Sequence, residues 1–323
     1  MKFTDVGRDY KEWKTDFDYA LFSVLQSGVY INGPNVTEFE SELQSFAGSG
    51  EVIACSDGTS ALEIALRSLE IGPGDEVIVP CYTFFATAEA VSLVGARPVF
   101  VDICRDTFNI NVDKVLLAVS ERTKAVIAVS LFGQMSELER LSSILSEHKS
   151  VTLIEDAAQS FGARRHGQRS CSIATISCTS FFPAKPLGCF GDGGAVFTND
   201  SKLAEKMRTL ARHGALSAAR NAPHVCIGRN SRLDEVQAAV LRVKLARLDE
   251  CLERRRKAAK LYEAAVLNQS ILAASICLPF IDKHNESSYA QFAVQVDALI
   301  RDKVVAMMMQ HFSIPVIPYY VPC

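Results

Sequence analysis

The sequence predicts an α/β fold, a mainly parallel seven-stranded sheet between layers of helices, followed by a smaller α+β C-terminal unit. Three observations carry this. From residue 51 to about 200, seven short β-rich runs alternate with segments of helical period, the pattern of strands joined by helical crossovers. Several of those runs are apolar almost without interruption, as strands covered on both faces must be. After Asn230 the alternation gives way to long amphipathic and charged helical stretches, which belong to a different architecture.

In order, the runs are Glu51–Ser56, Asp75–Pro80, Arg97–Ile103, Lys124–Leu131, Val151–Asp156, Ala174–Phe181 and Gly193–Asn199. Helical periodicity marks Thr59–Leu69, Leu138–Glu147 and, after the last run, Ser201–Arg212. The turn Gly72-Pro73-Gly74-Asp75 separates a helix from a strand. Beyond it, Leu233–Leu248 reads as one amphipathic helix, continued by a charged helix to about Leu267. Tyr289–Val296 alternates like a half-exposed strand, Leu299–His311 has helical period, and Ile314–Val321 is strand-like. At 323 residues the chain is long for a single core. The expected division is a large α/β domain over 1–245 and a small domain over 246–323, with the N-terminal segment able to pack on the small one. The small domain stops abruptly at Pro322-Cys323 and is expected to be incomplete.

Composition narrows the class. Hydrophobic residues make up 48% and charged residues 22%, the balance of an ordinary globular protein. A formal net charge of −3 leaves no basic footprint for nucleic acid. The one dense basic run (Arg254, Arg255, Arg256, Lys257, Lys260) is interleaved with Glu253 and Glu263 and reads as a solvated helix face. No stretch approaches the ~18 continuous apolar residues of a membrane helix, and the first residues lack the apolar stretch of a signal peptide. The ten cysteines are scattered without a C-x-x-C pair, which suits reduced thiols in a cytoplasmic protein. The six histidines form no metal-binding spacing, so no metal is expected.

In an open parallel sheet, ligands bind beyond the carboxyl ends of the strands, and three groups stand at such ends. Ser56-Asp57-Gly58-Thr59-Ser60 joins a strand to a helix, and the free N–H groups and dipole of a helix N-terminus seat a phosphate. Its plainer reading is a helix cap by Asp57 or Thr59. Glu155-Asp156-Ala157-Ala158-Gln159 ends a strand in two acids. A carboxylate there can pair with a protonated pyridine nitrogen, or merely cap. Lys185 lies between Pro183-Ala184 and Pro186-Leu187, five residues after Ser180. An apolar setting favours the neutral amine, which a Schiff-base lysine needs. Any lysine taken singly defaults to the surface. Together the three groups fit pyridoxal 5'-phosphate (PLP): phosphate seat, ring-nitrogen partner, Schiff-base lysine.

The segments GTSALEIAL, GPGDEVIVPCYTFFATAEAV, IEDAAQSFGA, SFFPAKPLG, GDGGAVFTND and NSRLDEVQAAVLRVKL resemble signatures of the DegT/DnrJ/EryC1/StrS family of PLP-dependent sugar aminotransferases. The resemblance runs from about Gly28 to the C-terminus and implies the fold-type I architecture. It also implies a cytoplasmic homodimer with active sites shared between subunits. Lys185 would form the internal Schiff base and shuttle the proton, Asp156 would pair with the ring nitrogen, and Gln159 would lie near the ring hydroxyl. Tyr82 would stack on the ring, Gly58, Thr59 and Ser180 would hold the phosphate, and Asn230 would reach the phosphate of the other subunit. Arg232 is a candidate for a substrate carboxylate or phosphate, with a salt bridge as the equal alternative. Tyr319 and Tyr320 stand by the sugar pocket, Tyr319 where the family has a histidine. The run 169–200 is most similar to members that aminate a UDP-linked 3-keto-N-acetylglucosaminuronate with L-glutamate, for bacterial O-antigen. Two rival readings are a PLP-binding but inactive scaffold or regulator, and a PLP sugar dehydratase. The dehydratases carry histidine in place of the lysine, so Lys185 speaks against the second.

Overall fold

Each of the seven β-rich runs becomes a strand of one sheet in the computed structural model, which describes residues 4–148, 150–219 and 221–320. The strands are β1 (Glu51–Cys55), β2 (Glu76–Pro80), β3 (Arg97–Val101), β4 (Thr123–Val129), β5 (Thr152–Asp156), β8 (Ile176–Ser180) and β9 (Gly194–Thr198). Between β5 and β8 lie the short strands β6 (Arg164–Arg165) and β7 (Gln168–Arg169) of a small separate sheet, completed by β11 (Asn285–Glu286). The main sheet runs β1-β9-β8-β5-β4-β2-β3. Pairing is parallel throughout except that β9 runs antiparallel to both β1 and β8. The other six strands therefore all end on one edge of the sheet.

β2 and β9 are covered on both faces, which is why their sequences are near-continuous apolar runs. β8 is as buried but carries hydroxyls, which find partners in the Glu155 carboxylate (Ser177) and the Ala157 carbonyl (Thr179). One face is covered by the helices Gly58–Ser68, Ala86–Leu93 and Ser201–Ala211, packed on Ile53, Val77, Val79, Ile127 and Ile154. On the other face Phe39, Leu43, Leu241 and Leu245 from the helices Pro34–Ala47 and Glu235–Leu245 close over Phe161, Phe181 and Phe197. The amphipathic stretch expected at 233–248 is that second helix. After a turn at Ala246-Arg247, the charged helix Leu248–Leu267 follows. Its basic run is a paired face rather than a patch, Arg254 bonding Glu12 and Glu250, and Arg256 bonding Glu253. Arg255 departs from that face, half-buried and donating to the Tyr289 carbonyl.

Two expectations fail in the C-terminal part. Only Gln295–Val296 (β12) of the expected strand over 289–296 forms, pairing with Ile276–Cys277 (β10). The start of that stretch is instead spent on docking. Ser288 N–H donates to the Gly133 carbonyl, its hydroxyl donates to the Gln159 carbonyl, and Tyr289 takes a left-handed φ of 43°. Gly133 permits this approach, since a Cβ there would lie 2.6 Å from Tyr289 N. Residues 314–320 likewise form no strand, and Val321 lies outside the described residues. They lie against the rim of the large sheet through Tyr319 and Tyr320.

Candidate active site

The six co-directed strand ends bring Ser56–Thr59, Tyr82, Ser130–Phe132, Asp156–Gln159 and Ser180–Lys185 to one edge. β9 enters the sheet from that edge, with Gly194 opposite both Cys55 and Ser180. A Cβ on Gly194 would sit 2.4 Å from the Asp57 carbonyl oxygen, so the Gly191-Asp192-Gly193-Gly194 run lets the β1 turn lie flat across β9.

The β1 turn realises the capping reading of its sequence. The Asp57 carboxylate caps the following helix, accepting from Ser60 N–H at 2.7 Å and from the Ser60 and Ser56 hydroxyls at 2.6 and 2.7 Å. Burial opposes its ionisation, but these donors hold it below the ordinary carboxylate range. Gly58 and Thr59 form the first positions of the helix, whose N–H groups have no partner within the helix. Gly58 packs against Ser180 so closely that a Cβ would fall 2.7 Å from the Ser180 Cβ. A glycine at 58 is thus what lets Ser180 lie against the first turn of this helix.

Asp156 ends β5, buried, and accepts from Thr87 Oγ1 at 3.0 Å and from Ala158 N–H at 3.1 Å. Burial pushes its carboxyl up, while the Ala158 N–H, Lys185 and Thr87 pull it back. A carboxylate has about four acceptor sites, so capacity remains for a further N–H. Burial pushes the Lys185 amine below the ordinary lysine value, and only the Asp156 charge works against this. Among the described residues Lys185 Nζ has no hydrogen bond or ion pair.

Gln159 is buried, its Oε1 accepting from Phe132 N–H at 2.8 Å and its Nε2 donating to Tyr320 Oη at 2.9 Å. Tyr82 lies among aromatic neighbours, 5.8 Å from Phe108 and 5.4 Å from Tyr320 between ring centroids, with its hydroxyl donating to the Tyr319 carbonyl. Tyr319 packs on Phe132. Both C-terminal tyrosines therefore reach the same edge as Asp156.

Arg232 is half-buried, and its Nε is fully buried without a hydrogen-bond partner among the described residues. The alternative of a salt bridge is not realised among them. Asn230 is exposed and, among the described residues, forms a backbone bridge with Arg212 and no side-chain hydrogen bond. Its neighbour Ser231 is buried and bonds Ser56 at 2.9 Å between hydroxyl oxygens. Sequence reasoning missed Thr87 and Phe132. Both act on site residues through contacts 69 and 27 positions apart, and neither carries a local signal of that role.

The residues fit PLP: a helix N-terminus beside a serine, a buried carboxylate with spare acceptor capacity, and an unpaired lysine with depressed basicity. Fold and site together define a fold-type I, PLP-dependent aminotransferase. Residues 12–323 match the profile of the DegT/DnrJ/EryC1/StrS aminotransferase family, and the chain belongs to that family. It is 46% identical over 297 residues to the UDP-2-acetamido-2-deoxy-3-oxo-D-glucuronate aminotransferase of Pseudomonas aeruginosa, covering 92% of this chain and 80% of that one. The structure of a family aminotransferase from Brucella abortus superposes with a TM-score of 0.92 at 41% identity, over 99% of this chain and 85% of that chain. A Bacillus subtilis protein solved with bound cofactor PMP superposes with a TM-score of 0.90 at 30% identity, over 99% of this chain and 72% of that chain. The cofactor of this chain is PLP.

Proposed function

We propose that the chain transfers the amino group of L-glutamate to a nucleotide-linked keto sugar, a UDP-linked 3-keto-N-acetylglucosaminuronate. The product would serve bacterial O-antigen or another surface polysaccharide, and the enzyme would work as a homodimer with shared sites. The observation that carries the reading is Lys185, which follows β8 at the edge where buried Asp156 ends β5, feels the charge of that carboxylate, and has no hydrogen-bond or ion-pair partner among the described residues. The choice of sugar follows the Pseudomonas relative.

When bound, PLP supplies an electron-poor ring that carries the amino group from donor to acceptor. Asp156 keeps the ring nitrogen protonated, oriented by Thr87 and Ala158 N–H. Gly58 and Thr59 N–H and the Ser180 hydroxyl bind the phosphate, with Asp57 spent on Ser60 and so turned away from it. Gln159 retains one N–H for the ring hydroxyl, and Tyr82 covers the ring. Lys185 Nζ takes the proton from the donor carbon and returns one to the sugar carbon, a role that burial favours by lowering its basicity. The Arg232 Nε–H, buried and unpaired, meets an anionic group of the substrate. Asn230, exposed on its own subunit, completes the phosphate site of the partner.

The test is incubation of the purified holoenzyme with L-glutamate and the UDP-linked 3-keto sugar acid, following 2-oxoglutarate and the aminated sugar by mass spectrometry. Both products are expected in equal amounts. Formation of 2-oxoglutarate with no aminated sugar would refute the substrate. Failure of glutamate to change the absorbance of the bound cofactor would refute amino transfer and favour the inactive scaffold.

A further inference from the structure

A second carboxylate lies directly beside Asp156 and has no part in the chemistry above. Glu155 is completely buried, with four hydrogen-bond donors around it. Its Oε1 accepts from the hydroxyls of Ser130 at 3.0 Å and Ser160 at 3.4 Å. Its Oε2 accepts from Cys171 N–H at 2.8 Å and from the Ser177 hydroxyl at 3.3 Å. A buried carboxylate without such donors would be costly, and a helix or strand needs none of these bonds for its own ladder.

The donors come from segments that carry the site. Ser130 follows β4; its N–H donates to the Asp156 carbonyl at 3.0 Å, and its hydroxyl accepts from Ser136 N–H at 3.2 Å, leaving its own hydrogen for Glu155. Two residues on, Phe132 N–H holds Gln159 Oε1. Ser160 directly follows Gln159 in the chain. Glu155 thus grips the chain on both sides of the Phe132–Gln159 bond. Because side chains alternate along a strand, it does so from the face of β5 opposite Asp156.

We propose that Glu155 is a positioning residue for the cofactor ring, its carboxylate tying the β4 end and the loop after β5 into one unit that fixes Asp156 and Gln159. This rests on the placement of those two residues at the ring. The four donors favour the anionic form, against the burial that pushes the carboxyl up. Cys171 N–H can only donate, so the amide oxygen of a glutamine at 155 must face Cys171. Its NH2 group then faces the Ser130 and Ser160 hydroxyls, which must turn from donating to accepting. The mispairing falls on the side that carries Gln159.

The experiment compares Glu155→Gln, Ser177→Ala and Asp156→Asn with the parent protein. The readouts are PLP dissociation constant, visible circular dichroism of the bound cofactor, which reports ring orientation, and thermal midpoint of the apo-protein. Glu155→Gln is expected to weaken PLP retention roughly 10- to 150-fold, the range for a lost hydrogen bond to a charged group, and to change the dichroic band. Ser177→Ala removes a donor on the Cys171 side and is expected to lower the apo-protein midpoint without changing either cofactor readout. If Glu155→Gln lowers the midpoint but leaves affinity and dichroism at parent values while Asp156→Asn alters them, Glu155 is merely structural and the proposal falls. If neither variant moves the cofactor readouts, the placement of Asp156 at the ring falls with it. Should Glu155→Gln not fold, Ser160→Ala removes the hydroxyl on the Gln159 side alone. The same two changes, smaller in size, are then expected, and their absence overturns the proposal.

Discussion

Thr87 offers the sharpest test of how the Asp156 carboxylate is held. It is fully buried, and its hydroxyl lies 3.0 Å from both Asp156 Oδ2 and the Thr83 hydroxyl. Thr87→Val keeps the shape and removes the donor. A hydrogen bond to a charged group contributes about 1.5–3 kcal/mol, and 1.36 kcal/mol corresponds to a factor of ten, so the anionic form loses roughly 10- to 150-fold in relative stability. Burial already pushes the Asp156 carboxyl above its ordinary value, and Thr87 is one of the groups pulling it down. Removing it moves that pKa up, so the ring nitrogen loses its partner at a higher pH. The acidic limb of kcat/KM should therefore shift upward, with kcat at neutral pH falling by a similar factor or less. The assay is the pH profile of glutamate-driven conversion of the cofactor by stopped-flow absorbance, with PLP saturating. An acidic limb that stays in place, or moves down, would refute the account of how Asp156 is stabilised.

Three further outcomes are expected. Capture of PLP by apo-protein should speed up with pH as Lys185 loses its proton, with a midpoint below the ordinary lysine value of 10.5. Asp156→Asn, which removes the charge that favours the protonated amine, should move that midpoint lower still; an upward move would contradict the assignment. Gly58→Ala places a Cβ 2.7 Å from that of Ser180, so affinity for PLP should fall roughly tenfold or more while affinity for pyridoxal, which lacks the phosphate, stays unchanged by titration calorimetry. Mixing Lys185→Ala with Asn230→Ala protein after reversible dissociation should regenerate one intact site per mixed dimer and recover amino transfer. No recovery, with Asn230→Ala clearly impaired alone, would count against shared sites.

The β-rich runs determined the sheet, and all seven are strands. β2 and β9 are apolar because both faces are covered, while the edge strand β3 leaves Phe100 exposed and β8 buries hydroxyls that find hydrogen-bond partners. The lysine between prolines, the acid at a strand end and the Gly-Thr turn were legible for a similar reason: each is a local motif whose neighbours in sequence supply its setting. Alternation failed at Tyr289–Val296, where a period-two pattern was spent on docking against Gly133 rather than on a ladder. The pattern records which side chains are covered, not by what. Only the tertiary structure decided that Asp156 answers to Thr87, that Gln159 is held by a backbone N–H of Phe132, and that Arg232 keeps a buried donor without a partner among the described residues. Those contacts join segments tens of residues apart, through the order in which parallel strands are laid side by side. Strand order is set by crossover connections and by packing over the whole sheet, and no window of sequence around Asp156 contains it.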